Sequence, residues 1–168
     1  HAGYRVTYLI QVAREEPEMP DTAGALLELI AGAQDGDVRK IARLISKIED
    51  GGVEAREVLR ALTTYSGRAH VIGLTGAPGV GKSTTTSALV TALRSAGHRV
   101  AVLAVDPSSP FSGGALLGDR IRMQRHSGDE GVYIRSMASR GHLGGLSATT
   151  PQVIRVLDAT GFDIVIIE

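Results

Sequence analysis

Gly76-Ala77-Pro78-Gly79-Val80-Gly81-Lys82-Ser83 fits G-x-x-x-x-G-K-[ST], the pattern of a phosphate-binding loop. The apolar run Val71-Ile72-Gly73-Leu74 precedes it and reads as a buried strand, and Ser83 to Ser95 follows as a helix. At average residue usage, in which glycine makes up about 7%, a chain of this length matches the pattern by accident on the order of once in a hundred. The strand before and the helix after lower that further. The loop's glycines let the backbone take positive φ and approach a ligand with no Cβ in the way. Successive N–H groups then point inward as an anion nest at the positive end of the following helix. Lys82 adds a mobile cation for β- and γ-phosphates, and the Ser83 hydroxyl suits Mg²⁺.

The bulk composition narrows the setting. A length of 168 residues suggests one domain with a real core. Lys plus Arg and Asp plus Glu balance at 18 each, so nothing global points to nucleic acid or an anionic membrane. The absence of cysteine excludes disulfides, thiolate metal sites and a Cys nucleophile, and fits a cytoplasmic protein. No apolar run approaches the roughly 20 residues of a membrane span. His1-Ala2-Gly3 carries neither an initiator Met nor a signal-peptide pattern, so a processed, tagged or partial chain is expected.

Upstream of the loop, residues 1–24 carry no assignment beyond an arm or a tag-derived segment. Tyr4 to Ile10 suits a short strand, and Glu15-Glu16-Pro17-Glu18-Met19-Pro20 is a Pro-broken linker. Residues 25–64 read as a helical segment. Leu26, Leu27, Ile30 and Ala31 form one apolar face. Asp37 is placed to cap a second helix, in which Val38, Ile41, Ala42, Ile45 and Ile48 recur at helical spacing until Gly51-Gly52. Val53 to Leu62 gives a third helix, with Val58, Leu59 and Leu62 inward. Packing on the following domain and presenting a face to a partner are both open readings of this segment.

From 65 to 168 strand and helix alternate. Strands are expected at Ala69–Leu74, Arg99–Val105, Val132–Ser136 and Phe162–Ile167, and helices at Lys82–Ala96, Gly113–His126 and Ser147–Ala159. Near-continuous apolar strands suit a mostly parallel sheet covered by helices on both faces, with ligands at the strands' carboxyl ends. Two strands end there in acid, Asp106 after Val105 and Glu168 after Ile167. If these strands flank the one before the loop, both carboxylates lie near Ser83 and could hold Mg²⁺ directly or through its waters. The Gly-rich stretches Ser112-Gly113-Gly114 and Ser139 to Gly145 are candidates for switches that order on nucleotide binding. His142 reads as a solvated loop residue before a catalytic one. Arg120, Arg122, Arg125, Arg135 and Arg140 are mostly solvated positions, with an arginine finger among them as the sharper reading.

Gly76–Ser83, Leu103 to Gly114, Leu117-Gly118-Asp119-Arg120-Ile121-Arg122-Met123 and Ser139 to Ser147 together resemble the MeaB/ArgK family of P-loop GTPases. The resemblance covers about residues 25–168. It implies a Mg²⁺-dependent protein that binds GTP and GDP, hydrolyses GTP, and is a chaperone for adenosylcobalamin-dependent methylmalonyl-CoA mutase. It also implies a homodimer at full length. By motif, Lys82 and Ser83 contact phosphate and Mg²⁺, Thr84 lies next to the α-phosphate, and Asp106, Asp119 and Glu168 belong to the Mg²⁺ environment. In the family the strand ending at Glu168 continues into a Thr-Val-Gly switch, an Asn-Lys-x-Asp guanine-reading element and a dimerisation arm. This chain therefore resembles the amino-terminal half of a member.

Three functional readings follow. The first is a GTPase that clamps a B12 mutase, with Lys82, Mg²⁺ and loop N–H groups stabilising charge as water attacks the γ-phosphate. No residue offers itself as a general base, so slow intrinsic turnover raised by a partner is expected. The second, matching the family's older label, is a P-loop kinase or ATPase of basic amino-acid transport. The third is a binding module whose nucleotide state controls only assembly.

Overall fold

The computed structural model describes residues 22–65, 67–77, 79–106, 126, 128–138 and 149–168. The expected helix at 113–126 and the Gly-rich stretches of 112–114 and 139–145 lie outside these residues, apart from His126.

Three helices come first: α1 (Thr22–Gln34), α2 (Val38–Asp50) and α3 (Gly52–Leu62). Asp37 caps α2 as the sequence suggested, its carboxylate accepting from the N–H groups of Arg39 at 2.9 Å and Lys40 at 3.2 Å. Gly51, at φ 76°, ends α2 in a conformation that other residues rarely adopt. The faces differ in detail from the expected ones. On α1 it is Leu29, Ile30 and Ala33 that are buried, while Leu27 is 60% exposed. On α2 Leu44 joins Ile41, Ile45 and Ile48 inside, and Val38 sits near the helix start at 49% exposure. Both observed sets, Leu26, Leu29, Ile30 and Ala33 on α1 and Ile41, Leu44, Ile45 and Ile48 on α2, keep the i, i+3, i+4, i+7 spacing of a single face, so the α1 face is rotated from the expected one.

Then follow β1 (His70–Gly73), α4 (Lys82–Ser95), β2 (Val100–Asp106), β3 (Val132–Ala138), α5 (Thr150–Ala159) and β4 (Ile164–Ile167). The described strands form one parallel sheet in the order β1-β4-β2-β3. Alternation along the strands sends side chains to two separate cores. Ala101, Leu103, Tyr133, Met137 and Val165 meet α5 and the α1–α3 layer in one cluster. Val100, Val102, Val132, Ile164 and Ile166 meet Val90, Leu89 and Leu93 of α4 in the other. Burying each Val, Leu or Ile side chain of these clusters contributes about 1.5–3 kcal/mol. The helical segment is thus continuous in its core with one face of the sheet. Arg135 on β3 reinforces that contact through an ion pair with Glu49 and a 3.3 Å bond to Ser46, both on α2.

The strand before the loop departs from expectation. β1 pairs only with β4 among the described strands, and Val71 is 50% exposed. It is an edge strand here, not a buried one. Its entry is clamped from α5: the Asp158 carboxylate accepts the backbone N–H groups of Gly67, Arg68 at 3.0 Å and Ala69 at 2.9 Å. Burial pushes this carboxyl's pKa up, but those three bonds outweigh it and hold it below the ordinary carboxylate value. On the other side of the sheet, Arg94 of α4 grips Asp129 with two bonds of 2.7 and 2.8 Å and so fixes the turn that enters β3.

Candidate functional site

The loop between β1 and α4 closes through two left-handed glycines, Gly79 at φ 80° and Gly81 at φ 93°. A Cβ at either would meet nothing within 4 Å, so backbone conformation, not crowding, demands glycine at both. Gly81 is also the N-cap of α4; it offers no side-chain cap, and the first turn carries no acid. The positive end of the helix dipole is therefore uncompensated by any carboxylate of its own first turn, the electrostatic setting that favours an anion. Thr85 and Thr86 turn their hydroxyls back onto the carbonyls of Gly81 and Lys82, both at 3.1 Å. Thr84 is exposed on the same turn.

Lys82 does not reach into open space. Its Nζ donates to the carbonyls of Gly76 at 2.8 Å and Ala77 at 3.1 Å, so the cation rests folded over the loop that it would serve. The sequence directs attention to the loop's N–H groups; no pattern in it signals that two loop carbonyls would hold the lysine.

Ser83 is buried, and its hydroxyl donates to Glu168 Oε1 at 2.5 Å. These residues stand 85 positions apart and are brought together by the sheet. Glu168 follows β4, and its own N–H and C=O are fixed on β2, to Leu103 O at 2.9 Å and from Val105 N at 2.8 Å. Glu168 Oε2 is buried and has no hydrogen-bond partner among the described residues. An orphaned carboxylate oxygen beside a buried serine hydroxyl costs free energy unless something positive completes it, and that donor set suits a hard divalent cation. No three acidic or His side chains converge among the described residues, so such an ion would depend on phosphate oxygens and water for its remaining ligands.

The remaining sequence candidates are placed as follows. Asp106 is the last residue of β2, in register with Ala138. Its strand is not a neighbour of β1: β4 lies between them, correcting the expectation that both acid-ended strands flank the loop strand. A single intervening strand puts β2 roughly 10 Å from β1, so Glu168, not Asp106, ends the strand beside the loop. Pro78, Asp119, His142, Arg120, Arg122, Arg125 and Arg140 lie outside the described residues. Arg135 is held by Glu49 and Ser46, which removes it as an arginine finger. Gly76 and Val80 sit close together, such that a Cβ on Gly76 would come within 3.1 Å of the Val80 side chain.

Comparison with known proteins agrees with this architecture. The family model described as methylmalonyl-CoA mutase-associated GTPase MeaB matches residues 39–168. A Pyrococcus abyssi relative is 53% identical over 141 residues, covering 84% of this chain and 44% of its own. The Escherichia coli GTPase ArgK is 37% identical over 147 residues, covering 85% and 44%. The mouse mitochondrial methylmalonic aciduria type A homolog is 48% identical over 97 residues, covering 58% and 23%. A solved structure described as LAO/AO transport system kinase superimposes with a TM-score of 0.64 at 26% identity, over 86% of this chain and 43% of that one. The chain thus spans less than half the length of these relatives. With a P-loop strand–loop–helix on a parallel sheet and a family match over most of its length, the chain belongs to the MeaB family of methylmalonyl-CoA mutase-associated GTPases.

Proposed function

We propose that this chain is the amino-terminal half of a Mg²⁺-dependent GTPase that binds and hydrolyses GTP and acts as a chaperone for adenosylcobalamin-dependent methylmalonyl-CoA mutase. The observation that carries the reading is the buried Ser83–Glu168 pair at 2.5 Å beside a glycine loop whose lysine is folded back onto the loop's own carbonyls. In this reading residues 65–168 form the nucleotide unit, residues 25–64 a helical segment packed on it, and 1–24 an arm. The protein works in the cytoplasm and forms a homodimer at full length.

Gly76 to Ser83, with Thr84, cradle the phosphates of GTP or GDP. Lys82 leaves the Gly76 and Ala77 carbonyls and turns to the β- and γ-phosphates. Ser83 and Glu168, with Asp106 and Asp119, form the Mg²⁺ environment; the ion supplies charge neutralisation at the phosphates. The loop N–H groups and Lys82 stabilise the charge that develops as water attacks the γ-phosphorus and GDP leaves. The chain supplies no evident general base among the described residues, so intrinsic turnover is slow and a partner raises it.

Equilibrium binding of GDP and ADP to the full-length protein, with and without Mg²⁺ and with Lys82→Ala as control, tests this. GDP-selective binding that weakens at least about tenfold in Lys82→Ala supports it. A preference for ADP would instead support the kinase or ATPase of basic amino-acid transport; the superimposed structure is described as LAO/AO transport system kinase. Binding of neither nucleotide would sink both.

A further inference from the structure

α4 is held differently along its length. Its second half carries Leu89, Val90 and Leu93, which pack with Val100, Val102 and Ile166 of the sheet. Its first half reads Lys82-Ser83-Thr84-Thr85-Thr86-Ser87-Ala88, in which Ala88 is the one apolar residue. Five consecutive hydroxyl residues favour a helix poorly, because Ser and Thr compete for backbone groups and Thr loses χ1 freedom. Thr85 and Thr86 show that competition: both turn back onto carbonyls of the preceding turn, an arrangement that slightly weakens a helix. The start of the helix lacks support as well. Gly81 brings no side-chain cap, the first turn has no acid, and Lys82 sets a cation at the positive end of the dipole. By contrast α2, of 13 residues against 14, has the Asp37 cap and buries Ile41, Leu44, Ile45 and Ile48. What fixes the first half of α4 is tertiary: Ser83 bonds Glu168, Thr86 is buried, and the Ser87 hydroxyl is hydrogen-bonded with His126 Nε2 at 3.1 Å.

We infer that the first half of α4 is a conditional helix, opening locally until the phosphates of the bound nucleotide complete it, and that it reports occupancy of the loop to the turn that enters β3; this rests on the nucleotide-binding reading above. Phosphate oxygens at the start of α4 take up the N–H groups of its first turn and offset both the dipole and Lys82. Ser83 and Ser87 stand one turn apart on the same face, so ordering the first turn also sets the hydroxyl that holds His126. Arg94, in the core-anchored half, grips Asp129 on the same turn. The turn is thus held by both halves of one helix, and only one of them depends on the nucleotide. A ligand that binds the ordered form better than the open one shifts that balance and moves the turn with it.

The test is amide hydrogen exchange by mass spectrometry on the full-length protein, with GDP and Mg²⁺ as the probe and calorimetry to establish that GDP binds. Without nucleotide, the amides of residues 84–88 should exchange at least about tenfold faster than those inside α2. GDP should slow them at least about tenfold and slow residues 128–132 with them, while α2 stays unchanged. Thr85→Ala separates this device from simple shielding by the ligand. Thr85 is exposed and its hydroxyl bonds to the Gly81 carbonyl, so alanine raises helix propensity there. That variant should slow the nucleotide-free exchange of 84–88 about threefold and shrink the GDP-induced change by the same factor. Nucleotide-free exchange as slow as that of α2, a Thr85→Ala variant identical to wild type, or a turn whose amides ignore bound GDP would overturn the device and leave the nucleotide reading intact. Absence of GDP binding overturns the nucleotide reading, and this inference with it.

Discussion

Replacing Asp158 with Asn perturbs the entry to the loop strand without touching the loop. The carboxylate receives three backbone N–H groups, from Gly67, Arg68 and Ala69, the residues that lead directly into β1. Both Arg68 and Ala69 donate to Oδ1, at 3.0 and 2.9 Å, and an Asn oxygen in that place keeps them. Gly67 donates to Oδ2, where the amide NH₂ would set donor against donor. One charge-assisted bond is lost and two are weakened to neutral ones. Such bonds contribute about 1.5–3 kcal/mol when buried, but Asp158 is only half-buried, so solvent reduces the expected loss to about 1 kcal/mol. For a chain of this size that corresponds to about 2–4 °C in Tm. Because the folded pKa lies below the unfolded one, the carboxylate's contribution is complete above about pH 4. It disappears as pH falls through the folded value. Urea unfolding of both proteins between pH 7 and pH 3 checks this. The stability gap should be largest near neutrality and close in acid. A gap independent of pH, or none at pH 7, would refute the reasoning.

Two further outcomes follow from the geometry. Glu49→Ala leaves the half-buried Arg135 guanidinium without its carboxylate and should destabilise the chain by about 1–2 kcal/mol in urea melts, with no change in GDP affinity. Ser83→Ala removes the hydroxyl held by Glu168; it should reduce the enhancement of GDP binding by Mg²⁺ about tenfold in calorimetric titrations and leave Mg²⁺-free binding nearly unchanged.

The sequence alone determined the local features. The strand–loop–helix around Gly76–Ser83, the Asp37 cap, the glycine stop at Gly51 and the parallel α/β class are written in residue types and short spacings. Backbone conformation at a glycine and the period of a helix depend on near neighbours, so they can be read locally. Family motifs extended that reading to GTPase kinship. What required the tertiary structure was everything set by distant pairing. Strand order placed β4 next to β1 and moved the strand of Asp106 one position away. The same order carried Glu168 to Ser83 and left one carboxylate oxygen orphaned. Arg135 reads in sequence as one more surface cation, yet folding pairs it with Glu49, 86 positions away. Periodicity says which side of a strand a residue occupies. It does not say which strand comes next, because that choice depends on how helices cross over the sheet and bury both faces at once.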